Sequence, residues 1–122
     1  MNGQITKCKK LNENMVAVSY NNRIDFFDFR TNESIMNNFR LGNNVKNTSK
    51  NNVKTMYVVN ENTICYGLND GEIGLVSNKM NGGPIWSNKN HHRGTIYDIN
   101  RVDNLILSGD QNGLIVGWES LL

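Results

Sequence analysis

One short pattern occurs three times in this 122-residue chain, and it restricts the fold more than any other feature. Asn21-Asn22-Arg23-Ile24-Asp25-Phe26-Phe27-Asp28, Asn69-Asp70-Gly71-Glu72-Ile73-Gly74-Leu75-Val76 and Asn112-Gly113-Leu114-Ile115-Val116-Gly117-Trp118-Glu119 each join a turn to a short apolar run. With a shift of one in the turn, isoleucine recurs at 24, 73 and 115, and a large apolar residue at 27, 76 and 118. Successive isoleucines stand 49 and 42 residues apart, an interval that fits a supersecondary unit stacked on copies of itself. A unit of that size cannot bury both of its flanks alone, so its neighbours must cover them.

The composition of each unit points to strands. In the last one, apolar residues alternate from Thr95 to Ile99, a second run spans Leu105 to Gly109, and a third spans Leu114 to Trp118. Asp103-Asn104 and the stretch from Asp110 to Gly113 separate them, which reads as an antiparallel meander with tight turns. The first unit assigns its four strands to Ile5–Leu11, Met15–Ser19, Arg23–Phe27 and Ser34–Asn38. The second assigns them to Val53–Val59, Thr63–Gly67, Glu72–Val76 and Pro84–Ser87, with Asn81-Gly82-Gly83 as the last turn. The third stops after its third strand.

From His92 to Glu119 the chain resembles one blade of a WD-repeat β-propeller. Four positions match a hydrogen-bonded tetrad of that family: His92 before the first strand, Ser108 in the second, Asn112 in the turn and Trp118 in the third. The resemblance implies that the indole donates to the hydroxyl, the hydroxyl bonds the imidazole, and the turn side chain orients the ring. The family usually carries Asp where Asn112 stands and Gly where His91 stands. A neutral amide would make the tetrad weaker than an ionised one. Phe27-Asp28-Phe29-Arg30-Thr31-Asn32-Glu33 resembles the family's turn after the third strand. Elsewhere the tetrad decays: the second unit has Asp70 but Tyr66 and Val76, and the first has Ala17 and Phe27, so hydrophobic packing is expected to replace it there.

The fold so implied is all-β: a partial WD-repeat β-propeller of about three blades built from antiparallel four-stranded meanders, the last blade lacking its outer strand. It makes a single domain over 1–122, with blade one at 4–39, an Asn-rich basic insert at 40–52, blade two at 53–88 and blade three at 91–122. A propeller ring needs at least four blades. Ring completion by a second copy, by a longer chain or by another subunit is therefore expected, and Leu121-Leu122 adds apolar surface at an open strand edge after Trp118.

Charge and composition narrow the function. A formal net charge of +2 does not argue for nucleic acid by itself, but the basic side is local, with Arg40, Lys46, Lys50 and Lys54 uninterrupted by an acid. The 23 asparagines against one proline are read as turn and surface filling, since Asn tolerates left-handed backbone. Cys8 and Cys65 both fall in expected strands and are read as free, buried thiols of an intracellular protein, cytoplasmic or nuclear. No stretch approaches eighteen apolar residues, so no membrane partner is expected.

Neighbouring His91 and His92 point to opposite sides of an extended chain and share no metal. No cofactor and no metal are expected. Cys8 or Cys65 with His92 lies in no recognisable nucleophile motif, and Gly67 to Gly74 lacks the ending of a phosphate loop, so the chain is read as no enzyme. Trp86, Phe26 and Phe29 are assigned to packing between blades. The resemblance places partner contacts on one rim, with Asn69, Asp70, Arg93, Gly94, Asp110 and Gln111 as candidates. The expected function is a non-catalytic scaffold for protein–protein interaction in an intracellular complex, its partners other proteins. The alternative is an accessory module that holds nucleic acid or another polyanion through 40–54, a contact that would weaken steeply with salt.

Overall fold

The computed structural model describes residues 5–30, 33–40, 52–79, 83–119 and 121, and for 33–40 only the course of the strand is described. These residues form strands joined by turns, grouped in three antiparallel sheets. The first holds β1 (Ile5–Asn12), β2 (Met15–Tyr20), β3 (Arg23–Asp28) and β4 (Glu33–Arg40) in that order. The second holds β5 (Val53–Asn60), β6 (Thr63–Leu68), β7 (Ile73–Ser77) and β8 (Trp86–Asn88). The third holds β9 (Ile96–Val102), β10 (Leu105–Asp110) and β11 (Ile115–Trp118), three strands as the sequence implied.

The repeat is visible in the pairing. Val16 faces Phe27, Ile64 faces Val76 and Ile106 faces Trp118, so these three pairs are equivalent. Two residues on, Val18, Tyr66 and Ser108 are then equivalent, opposite Asp25, Gly74 and Val116. The expected match of Ala17 to Tyr66 and Ser108 is therefore corrected to Val18. Period two makes a slip of one residue a change of face: Ala17 packs toward the second sheet, whereas Tyr66 and Ser108 look toward the sheet that precedes their own.

Two further repeats accompany the first. The innermost strands all carry a register break near their start, between Ile5 and Lys7, between Val53 and Thr55, and beside Ile96 where Gly109 and Asp110 leave register. The hairpins that follow close on Glu13-Asn14, Glu61-Asn62 and Asp103-Asn104. In the first two, the Asn before the turn caps it alike: Asn12 Oδ1 accepts from Asn14 N at 2.9 Å and Asn60 Oδ1 from Asn62 N at 2.9 Å. In the third, Asp103 takes a left-handed φ of 53°. Some of the asparagines are thus structural and go beyond turn filling.

Two apolar layers join the sheets. Leu11, Met15, Ala17, Ile24 and Phe26 of the first sheet meet Val53, Met56, Ile64, Tyr66, Leu68 and Val76 of the second. On the other side of the second sheet, Cys65, Ile73 and Leu75 meet Ile96, Ile99, Ile106 and Trp118 of the third, with Tyr57, Val59, Trp86, Val116 and Leu121 at the margin. We call the side of each sheet that looks back along the chain its leading face and the other its trailing face. Close approach is enforced at Gly67, where an added Cβ would stand 2.7 Å from Ile96 Cγ2.

Three expectations change. Cys8 is exposed, whereas the equivalent Met56 and Ile99 are buried under the preceding sheets. Phe29 is exposed in the turn after β3, while Phe26 is core and Trp86 is half-buried. The insert 40–52 begins inside a strand, since Arg40 pairs with Arg23, and ends on Asn52, whose amide donates to Asn69 Oδ1 at 2.8 Å. Its remainder, with Lys46 and Lys50, lies outside the described residues.

Candidate functional site

The third sheet contains a buried polar relay. Trp118 Nε1 donates to Ser108 Oγ at 2.7 Å, Ser108 Oγ lies 2.6 Å from His92 Nε2, and His92 Nδ1 lies 2.7 Å from Asp110 Oδ2. One assignment of protons satisfies every member: the indole N–H to the hydroxyl oxygen, the hydroxyl hydrogen to Nε2, and the Nδ1 hydrogen to the carboxylate. His92 and Ser108 are 2% and 1% exposed, so each of these bonds replaces one that water no longer offers.

The acid of the relay is Asp110, which corrects the assignment of Asn112 to it. Ser108 and Asp110 are two apart on one strand and share a face. Asn112 sits at the turn tip with its side chain exposed, and its contribution is a backbone amide that donates to Asp110 Oδ1 at 2.8 Å. Leu114 N donates to the same oxygen at 3.1 Å. The hydrogen bond from His92 and those of the two amides hold the Asp110 carboxyl below its ordinary value against the opposing effect of burial. With an ionised acceptor the relay is stronger than one closed by an amide.

Ser108, His92 and Asp110 stand in the order of a hydrolytic triad. The hydroxyl is nonetheless buried and committed twice, to the imidazole and to the indole, so it presents no face to a substrate. Trp118 is further held by edge contacts, with ring centroids 5.3 Å from Trp86 and 5.2 Å from His91. His91 turns outward and lies 3.1 Å from Asn88 Oδ1, so the two histidines part as expected.

The second sheet solves the same problem with other residues. Tyr66, at the position of Ser108, donates through its hydroxyl to Glu72 Oε2 at 2.8 Å. The phenol fits because Gly74 opposite has no Cβ, which would collide with the Tyr66 hydroxyl. Burial, and then the Glu72 carboxylate, push the phenol up, so it remains a donor. Glu72 is itself 1% exposed.

Both locks end in turns along one rim. There, the turn of each sheet is stitched to the segment leading into the next. Val53 N donates to Asn21 O at 2.7 Å, and Thr95 Oγ1 donates to Asn69 O at 3.1 Å. Gly71, at φ 95°, lies so close to His92 that a Cβ would strike the His92 carbonyl oxygen. Gln111 Oε1 accepts from Thr95 N at 3.1 Å, and its chain packs over Gly94.

The rim candidates therefore separate. Arg93 and Gln111 are exposed, and Asp70, half-buried, meets Lys89 Nζ at 3.1 Å. Asn69 uses its side chain on Asn52. Asp110 is only 8% exposed and belongs to the relay, so it is withdrawn from the rim. Of the basic candidates, Lys54 is exposed at the bulge of β5, and Arg40 ends β4.

No protein-family model matches the chain. No curated protein matches it in sequence either. Solved structures do match its fold. The chain is similar to the WD40 β-propeller domain of Doa1, at TM-score 0.75 and 20% identity over 98% of this chain and 38% of that one. It is similar to the β-propeller domain of Cps50 (Swd1) from Myceliophteria thermophila, at 0.71 and 14% over 96% and 38%. A chain of the mitotic checkpoint complex matches at 0.69 and 12%, over 93% of this chain and 32% of that one. The chain thus spans about a third of the length of these solved relatives in fold, and at these identities the likeness concerns the fold alone. Three successive propeller sheets, the last of three strands among the described residues, give this chain a WD-repeat-like β-propeller fold.

Proposed function

We propose that the protein is a non-catalytic scaffold that holds protein partners on the rim formed by the turns of its second and third sheets, within an intracellular complex. The observation that carries this reading is the stitched rim. Asp70, Lys89, Arg93 and Gln111 come from two different sheets, and the turns beneath them are fixed by the Thr95–Asn69 bond and the Gly71–His92 contact. Side chains on a rigid base lose little further freedom on docking, which leaves more of their interaction energy for affinity. Acid, base and amide side by side suit a polar protein segment. The structures similar in fold include a chain of a checkpoint complex, which agrees with a role among protein subunits.

The alternative through 40–54 draws no support from the described residues. The test is site-specific photo-crosslinking in cells, with the reactive group at Arg93 or Gln111 and, as a control at the opposite end, at Glu13. The scaffold reading expects defined protein adducts from both rim positions that disappear when Asp70→Ala is added, and from the Gln111 probe also when Arg93→Glu is added. Equal adducts from Glu13, or adducts to nucleic acid, would overturn it.

A further inference from the structure

We infer that the protein segment held on the rim is acidic, and that it crosses the seam between the second and third sheets with carboxylates on Lys54 and Arg93 and an apolar side chain on Tyr97. The inference rests on the scaffold reading of that rim. It adds the charge of the partner and two further contact residues, Lys54 and Tyr97. One observation of backbone and one of charge carry it.

The innermost strands repeat a bulge. Thr6, Lys54 and Tyr97 are the extra residues at the register breaks, between Ile5 and Lys7, Val53 and Thr55, and Ile96 and Asp98. A bulge takes its extra residue out of the ladder and re-aims the side chain. In the first sheet the direction is visible, since Thr6 Oγ1 reaches the next sheet at 3.1 Å from Val53 O. The repeat gives Lys54 the same bearing, toward the start of β9, where Tyr97 stands. Tyr97 is 64% exposed, and Lys54 is exposed as well. The backbone beneath them is fixed. Asn69 N donates to Asn52 O at 3.0 Å, two residues before Lys54, and Gln111 N donates to Thr95 O at 2.9 Å, midway between Arg93 and Tyr97. With the Thr95–Asn69 bond, these contacts tie all three side chains to one belt.

Charge is sorted between the two ends of the sheets. At the rim the acids are committed to the structure: Asp110 closes the relay, Glu72 accepts from Tyr66, and Asp70 meets Lys89 while its other oxygen accepts from Glu72 N. Lys54 and Arg93 are exposed and form no ion pair among the described residues. At the opposite end the order is reversed. There Arg30 is tied to Asp28 at 2.8 Å, whereas Glu13, met by Lys10 only at 3.7 Å, is 89% exposed, and Glu61 is exposed.

The rim thus presents cations without counter-charge, and a partner complementary to it carries carboxylates. The same field draws an acidic segment to this end and turns it from the other. Tyr97 adds a stiff ring with a polar tip beside the two cations, a residue type that anchors interfaces. A nucleic acid would meet the same cations, but binding of that kind depends on neutralising many phosphates, for which Lys54 and Arg93 are too few.

The test has two arms. In the first, the Gln111 crosslinker is used in cells with Lys54→Glu, Tyr97→Ala or Tyr97→Phe, and the attached segment is sequenced. The expected segment is rich in Asp and Glu. An exposed charge pair contributes up to about fivefold in affinity and reversal adds repulsion, so Lys54→Glu should lower the yield about fivefold. Tyr97→Ala should lower it too, and Tyr97→Phe should retain it. In the second arm, fluorescence anisotropy follows the purified 122-residue chain with labelled peptides of equal length, one of glutamate, serine and leucine and one of lysine, serine and leucine, and with a labelled single-stranded oligonucleotide. The acidic peptide should bind saturably, more weakly as salt rises, and lose about fivefold with Lys54→Glu. Both altered side chains are exposed, so an unchanged melting temperature shows that each variant is folded. Defined adducts that ignore Lys54→Glu and Tyr97→Ala, or that lie in a basic segment, would overturn this inference and leave the scaffold reading standing. Absent adducts would count against the scaffold reading, and the second arm then decides alone. A preference for the acidic peptide that Lys54→Glu removes upholds the inference; no such preference, or an oligonucleotide bound as tightly, overturns it.

Discussion

Trp118→Phe probes the relay of the third sheet with little change in volume. The substitution keeps an aromatic ring beside Trp86 and His91 and removes the donor that reaches Ser108 Oγ at 2.7 Å. Because Ser108 is 1% exposed, water does not restore the bond, and an unmet buried polar atom costs about 1–3 kcal/mol. Edge contacts are worth about 0.5–1.5 kcal/mol and are partly retained by phenylalanine, so the loss centres on about 2 kcal/mol. For a chain of this size that lowers Tm by about 6–12 °C. The assay is reversible thermal or urea unfolding, repeated with Ser108→Ala and with both changes together. Groups sharing one network are non-additive, so the double variant should lose about 1 kcal/mol less than the two single losses combined. A strictly additive pair, or an unchanged Tm for Trp118→Phe, would refute the relay.

Three more outcomes follow from the same geometry. Asp110 has a depressed carboxyl, so its contribution is complete above the ordinary value of 3.8 and is lost as pH falls through the lower folded value. Urea midpoints should fall on that acid limb, and the Asp110→Asn chain should show a flatter limb. Asn112→Ala should leave the midpoint nearly unchanged, since only its backbone takes part. Gly71→Ala and Gly113→Ala both place a side chain at a left-handed φ, 95° and 86°, at about 1–2 kcal/mol each. Only Gly71→Ala adds a collision with the His92 carbonyl, so it should melt distinctly lower. Tyr66→Phe removes the donor to Glu72 in a buried site and should cost about 1–3 kcal/mol by urea titration.

Much of the architecture was legible because the isoleucine series at 24, 73 and 115 reports a pleat of fixed period, and a strand of period two has few ways to be read. The same period carried information that the resemblance obscured. Ser108 and Asp110, two apart, share a face in any strand, whereas Asn112 follows them into a turn and cannot. The repeated Asn-Glu-Asn at 12–14 and 60–62 was a second repeat signal, hidden by the abundance of asparagine. Ala17 and Val18 were confused because adjacent apolar residues differ only in face, and the pairing with Asp25 decides between them. The exposure of Cys8 was not legible at all. It depends on which neighbours cover that one position, which no local pattern encodes. The Tyr66–Glu72 lock was equally hidden, since it requires the missing Cβ of Gly74 across the sheet.

The two locks occupy one position by different chemistry, and that placement ties stability to the rim. Ser108 and Tyr66 each stand mid-strand on a leading face, where the preceding sheet presses, and each reaches toward the turn at its own strand's end. From Ser108 the path runs through His92 to Asp110, which in turn gathers the amides of Asn112 and Leu114. From Tyr66 it runs to Glu72, whose amide is held by Asp70 Oδ1 at 3.0 Å. Val18, the equivalent in the first sheet, has no polar atom with which to do the same. Rigidity at the rim should therefore be greatest at Asp70, Arg93 and Gln111 and least around Asn21-Asn22. Amide hydrogen exchange would rank them, because protection follows local opening. If the Asn21-Asn22 turn were as protected as the other two, the locks would not be what stiffens the rim, and the stitching between sheets would be sufficient by itself.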